Sequence, residues 1–256
     1  MFSISDLKVN KKILIVFLMS TICLSLIHYL GNVEFFLGIL KKVGMISFKK
    51  YLEHLFYGKE QGSLYALIFW ILIIDIFYLI VPALLVTLVF KEKLSDYGLS
   101  FKLERGWWKI YVVFMLVMFP LVFFFSGTDS FQSKYPFYHF SKQQSLWPNF
   151  FIWELFYFSQ FFCLEFFFRG FMVHGLKKDL GQYSILVMVI PYCMIHFGKP
   201  LPETLSAIVA GLALGYLSYK NKSILLGFFL HITVALSMDL LSLWRKDYFN
   251  FLIYLK

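Results

Sequence analysis

Apolar residues in this chain fall in long unbroken runs, not in the alternating or three-to-four-residue patterns of half-buried strands and surface helices. Runs near the roughly 20 residues that cross a bilayer as a helix occupy 13–30, 64–90, 110–126, 150–173, 183–197, 204–219 and 223–243. They predict an all-α fold, a polytopic transmembrane helix bundle of about seven spans, with six to eight allowed. Positions 34–45 are apolar but short, and predict a segment that lies in the interface or enters the membrane part-way. Two longer polar loops, 91–109 and 127–149, flank the third span. The second closes on Trp147-Pro148-Asn149, an interfacial aromatic anchor followed by a helix start. This is the best internal boundary. It separates an N-terminal transmembrane region, 1–147, from a more polar membrane domain, 148–243, with a tail over 244–256.

Composition agrees with the pattern. The chain is 60% hydrophobic, 21% aromatic and only 15% charged, far from the balance of a water-soluble domain. The net charge of +9 is spread over loops between the apolar runs and forms no single basic face. Nucleic acid is therefore not an expected partner, and contact with anionic lipid headgroups is. Lys8, Lys11 and Lys12 precede the first run as in a signal peptide, but no small-x-small cleavage site follows, so an uncleaved first span is expected. With seven spans, Lys and Arg divide twelve to eleven between the two sides. The positive-inside rule thus leaves orientation open, chiefly because of the cluster from Lys41 to Lys59. Cys23, Cys163 and Cys193 sit inside apolar runs without metal-site spacing, and are expected to be buried free thiols.

An ionisable side chain inside a bilayer is costly unless paired or hydrated, so each marks a candidate site. The spans contain Asp75, Glu154, Glu165, Arg169, His196, His231 and Asp239, all but the first after residue 150. Glu165 and Arg169, four apart, share a helix face and can neutralise each other, either as a structural ion pair or as part of a site. Glu154, about three turns earlier, falls near the same stripe. His196 stands just before Gly198, Pro200 and Pro202, which break the helix, and Glu203 opens the next one. Ala207, Gly211 and Gly215 make a small-residue strip for close helix packing. His231, Ala235 and Asp239 follow at four-residue steps on the last span. A carboxylate with two histidines on neighbouring spans provides a base, a proton carrier and oxyanion donors, the parts that peptide hydrolysis needs.

The motifs Leu164-Glu165-Phe166-Phe167-Phe168-Arg169-Gly170, Tyr192 with His196, and His231 with Ala235 resemble in order and spacing those of the CPBP intramembrane proteases. That family includes CAAX prenyl endopeptidases and bacterial Abi or bacteriocin-immunity relatives, and the resemblance covers about 148–243. It departs at two positions: Leu164 stands where the family has a first glutamate, and Ala235 where it has Asn or Asp. The resemblance implies a multi-pass protease of the cell membrane that cleaves a peptide or protein near the bilayer. Glu165 would be base or metal ligand, Arg169 would hold its charge, and His196 and His231 would orient water and stabilise the oxyanion. Glu203 and Asp239 would be auxiliary carboxylates, and zinc the metal if Glu165, His196 and His231 bind one. Two alternatives remain open: a catalytically impaired relative acting as a membrane scaffold or bacteriocin-immunity factor, and a transporter or channel.

Overall fold

The computed structural model describes residues 10–100, 102–139 and 146–248. Lys8, Lys142, Lys256 and most of the tail lie outside the described residues. Among the described residues six helices are long and apolar enough to cross a membrane: α1 (Lys11–Leu30), α4 (Gly62–Val89), α5 (Trp107–Phe125), α6 (Asn149–Leu180), α8 (Leu201–Asn221) and α9 (Leu225–Arg245). Between α1 and α4 lie α2 (Val33–Lys42) and α3 (Ile46–Tyr57), and α7 (Tyr183–Met194) precedes α8. The predicted all-α polytopic bundle of about seven spans holds, with the shorter apolar α7 beside the six long helices.

Contacts at the helix ends fix the alternation. Lys12 at the start of α1 pairs with Glu92 beyond α4 at 2.6 Å, and Asn10 donates to Asp179 at the end of α6 at 2.8 Å. The chain therefore crosses twice between residues 12 and 92, and the hairpin of α2 and α3 does not cross. Its ten and twelve residues rise only about 15 and 18 Å. Leu37, Leu40, Leu52 and Phe56 seal it against Phe69 of α4. Burial alone would raise the Glu92 carboxyl, but hydrogen bonds from Lys12 and Tyr97 and the Lys12 charge hold it below the usual glutamate range. At the same end, Lys177 donates to the Tyr219 carbonyl at 2.6 Å and Ser223 to that of Ser100 at 3.2 Å. At the opposite end, Arg245 donates to Ser126 and Tyr135 to Glu203.

The central helix is α6. Its last α-helical residue before the active stretch is Glu165, and Phe166–His174 then widens into π-helical turns. Phe166 to His174 are all buried, which no single face of a regular helix would allow. This stretch is enclosed by α1, α4, α7, α8 and the short turn Leu94–Tyr97. Gly170 lets that turn press close, since a methyl there would lie 2.6 Å from the Tyr97 carbonyl oxygen.

The predicted span 183–197 is helical only to Met194. Ile195 to Lys199 continue as tighter turns, with His196 N–H bonded to the Cys193 carbonyl and Phe197 N–H to that of Met194. Gly198 takes a positive φ of +86° and α8 starts behind Pro200, as the break residues predict. The small-residue strip packs α8 on α7: a methyl at Gly211 would meet the Tyr192 ring at 3.0 Å, and one at Gly215 would meet Ile185 at 2.8 Å. Cys23 and Cys163 are buried free thiols, whereas Cys193 is only half-buried. Gly215→Val should therefore lower stability by about 1–3 kcal/mol through overpacking, read as a lower midpoint in denaturant unfolding of the detergent-solubilised protein.

Candidate active site

The π-turn that follows Glu165 brings its side chain and that of Arg169 into the interior together. Both are fully buried, and Arg169 Nη1 stands 3.3 Å from Glu165 Oε1. The expected pair on one helix face is present. The same Oε1 lies 2.8 Å from His231 Nδ1 of α9. On its far side, His231 Nε2 is 2.9 Å from the Tyr192 hydroxyl of α7, and its ring stacks on Phe161 at 5.4 Å. Arg169 closes the circuit by lying over the Tyr192 ring, Cζ 4.0 Å from the centroid, a cation–π contact strengthened by the lack of water.

Three helices thus contribute to one connected cluster: Glu165, Arg169, His231 and Tyr192. His196 joins it at the edge. Its Nδ1 lies 2.8 Å from the Tyr192 carbonyl, its ring meets the Tyr192 ring edge-on at 4.9 Å, and its carbonyl accepts from Thr204 at 2.9 Å. A carbonyl accepts only from N–H, so His196 carries its hydrogen on Nδ1 and leaves Nε2 as an acceptor. His231 Nδ1 stands beside the carboxylate as a charge contact without hydrogen-bond geometry, and its Nε2 meets the Tyr192 hydroxyl.

His196, His231 and Tyr192 open on a cavity of about 570 Å³ among α5, α6, α7, α8 and α9. The α5 wall is apolar, with Val113, Phe114, Val117 and Leu121, and the opposite end carries Lys199 and Glu203. Glu203 pairs with Lys199 at 2.6 Å and accepts from Tyr135 at 2.8 and 2.9 Å. Burial, with Tyr157 and Glu203 nearby, pushes the Tyr135 phenol well above its usual range, so it remains a donor. Ala235 lies on the cavity wall, presenting a methyl where a polar group was expected. Leu164 points into the apolar core, and Glu165 lies behind His231 and does not line the cavity.

Two expected members are elsewhere. Asp239 accepts from the Phe137 N–H at 2.9 Å and the Trp153 indole at 3.2 Å, and lies beside Glu154. Neither reaches the cavity, because the 127–139 segment folds back between the helices and occupies Asp239. Phe137 stacks between Trp70 and Trp153 at 5.7 Å from each. Asp75 accepts from Ser159 at 2.7 Å as a helix-packing contact. Sequence reasoning undervalued Tyr192, whose position four residues before His196 places both on one face. It missed Tyr135, for which the loop composition holds no signal. Among the described residues no three His, Cys, Asp or Glu side chains form a group that could hold a metal ion. Glu165 and His231 touch, but His196 is turned to a backbone carbonyl.

A polytopic helical membrane protein in which a buried charge pair touches a histidine on the wall of a large cavity is the class this geometry defines. Residues 142–237 match the family model described as Type II CAAX prenyl endopeptidase Rce1-like, so this stretch belongs to the CPBP family of CAAX-type intramembrane proteases. It contains Glu165, Arg169, Tyr192, His196 and His231. No curated protein and no solved structure matches the chain significantly.

Arg169→Leu should cost about 3–5 kcal/mol of stability by leaving Glu165 buried beside one partner fewer. The double variant Glu165→Gln/Arg169→Met should recover most of that loss in the same unfolding experiment.

Proposed function

We propose that the chain is a membrane endopeptidase of the CAAX type, resident in the cell membrane, that hydrolyses a peptide bond within the large cavity. The observation that carries this reading is His231, which joins the buried Glu165 to the cavity. Glu165 acts through the histidine and not on water directly: its Oε1 fixes the imidazole with Nε2 toward the cavity, and with Arg169 it holds the charge that forms there. A water in the cavity gives its proton to His231 Nε2 while His196 Nε2 accepts its other hydrogen, which aims the oxygen at the scissile carbonyl carbon. The resulting oxyanion is met by the Tyr192 hydroxyl, released from His231 by that water. His231 then returns the proton to the leaving amine, and Arg169 stays beside the carboxylate throughout. The apolar α5 wall suits a lipid-bearing or strongly apolar peptide arriving from the bilayer. Lys199 and Glu203 stand at the polar end as auxiliaries, while Asp239 serves the fold. Among the described residues Glu165, His196 and His231 do not gather around a common point that would hold zinc.

A second reading is favoured by Leu164 in the core, Ala235 on the cavity wall and Glu165 sealed from the cavity. In it the chain keeps the family's fold as a membrane scaffold or immunity factor.

In purified protein in lipid nanodiscs with a farnesylated fluorogenic peptide, Glu165→Gln, His196→Ala and His231→Ala should each lower kcat by about 10²–10⁴-fold; the two histidine variants keep the melting transition, whereas Glu165→Gln lowers it by leaving the Arg169 charge unpaired and is assayed below that transition. Unchanged turnover in any of them sinks the assignment. If Glu165→Gln abolishes cleavage yet still complements the cellular phenotype, the scaffold reading replaces it.

A further inference from the structure

The two oxygens of Glu165 face different surroundings. Oε1 has Arg169 and His231 beside it as charge contacts, whereas Oε2 has no ion-pair contact, and neither oxygen has a hydrogen-bond partner among the described residues. It points at Gly227 of α9, where a Cβ would stand 2.2 Å away. Glu165 and Gly227 form the floor of a narrow cleft of about 10 Å³, separate from the large cavity and lined by Lys102, Glu104, Ser218, Asn221 and Ser223. Lys102 and Glu104 are exposed at its lip and Ser218 is buried within it. The volume is that of about one water. The walls also carry Trp107 and four leucines, but a cleft that offers hydroxyl and amide groups and ends on a buried carboxylate oxygen is where such a water is bound. An unpartnered carboxylate oxygen is otherwise among the most costly groups to bury.

We propose that this cleft is a water-binding site for Glu165 Oε2 and the route that supplies this water from the aqueous face at the 91–106 loop, so that it braces the carboxylate behind His231 during turnover. Gly227 is the positioning residue: by having no side chain it leaves room for both the carboxylate and its water. The supply role in turnover rests on the peptidase reading, and the water-binding site does not.

The probe is the silver ion, close to water in size, applied to full-length protein in vesicles. Cys163 and Cys193 are replaced by alanine and Cys23, fully buried, is kept as the sealed reference. Ser218→Cys should react with aqueous Ag⁺ about 100-fold faster than Cys23, and adding Asn221→Phe at the lip should protect it. Equal rates for Ser218→Cys and Cys23 overturn the site; should Ser218→Cys not fold, Ser223→Cys is read in the same way. Asn221→Phe alone should lower kcat about 10-fold with KM within about 2-fold, since the substrate cavity is untouched. Unchanged kcat overturns the supply role. If the unsubstituted protein cleaves no peptide, the peptidase reading fails alone, and the silver reaction still decides the water site.

Discussion

A carboxylate and a guanidinium four residues apart on a helix, both buried within the bundle, are the constraint around which this protein is arranged. In low dielectric neither charge can stand alone, and the surrounding helices are shaped to meet both. The π-turn in α6 carries the two side chains to the interior, α9 offers His231 to one oxygen, and α7 slides the Tyr192 ring beneath the guanidinium. Each approach needs a position without a side chain. Gly227 admits the carboxylate, Gly211 the tyrosine ring, and Gly170 the Tyr97 carbonyl. The glycines and the charges form one design, and losing either leaves the other without a purpose.

The span pattern was readable because a bilayer demands long apolar runs, and the order of helices followed directly. The Glu165–Arg169 pair was readable because helical spacing is local. Its partner His231, 66 residues on, could be selected only as an ionisable group inside another span, without a contact. Periodicity misled at Glu154 and Asp239. Both fall near the right helix stripes, but Phe137 and Trp153 claim Asp239 first. A loop that folds back into a bundle leaves no periodic trace. The second oxygen of Glu165 was also beyond reach, since an absent methyl on a distant helix has no signature at position 165.

The two departures from the family pattern differ in consequence. Leu164 lies in a packed apolar cluster, so a carboxylate restored there would be buried without a partner in the present arrangement. Ala235 lies on the cavity wall, where a polar side chain would find open space. The first change is woven into the core, while the second is a local loss at the edge of the site. His196 and Glu203, displayed at the break between α7 and α8, are among the polar groups that line the cavity.

The folded-back segment bears on how the molecule is put together. The Phe137 N–H and the Tyr135 carbonyl find their partners on Asp239 and Lys246, about a hundred residues later in synthesis. Until α9 enters the membrane, those backbone groups have only water or lipid headgroups to bond, and burying them would be unfavourable. The segment therefore waits at the surface while α6, α7 and α8 insert, and it docks last. Completion of the cavity is thus tied to arrival of the final helix, so a chain stalled before α9 carries Glu165 without His231 and an open bundle end in place of a site.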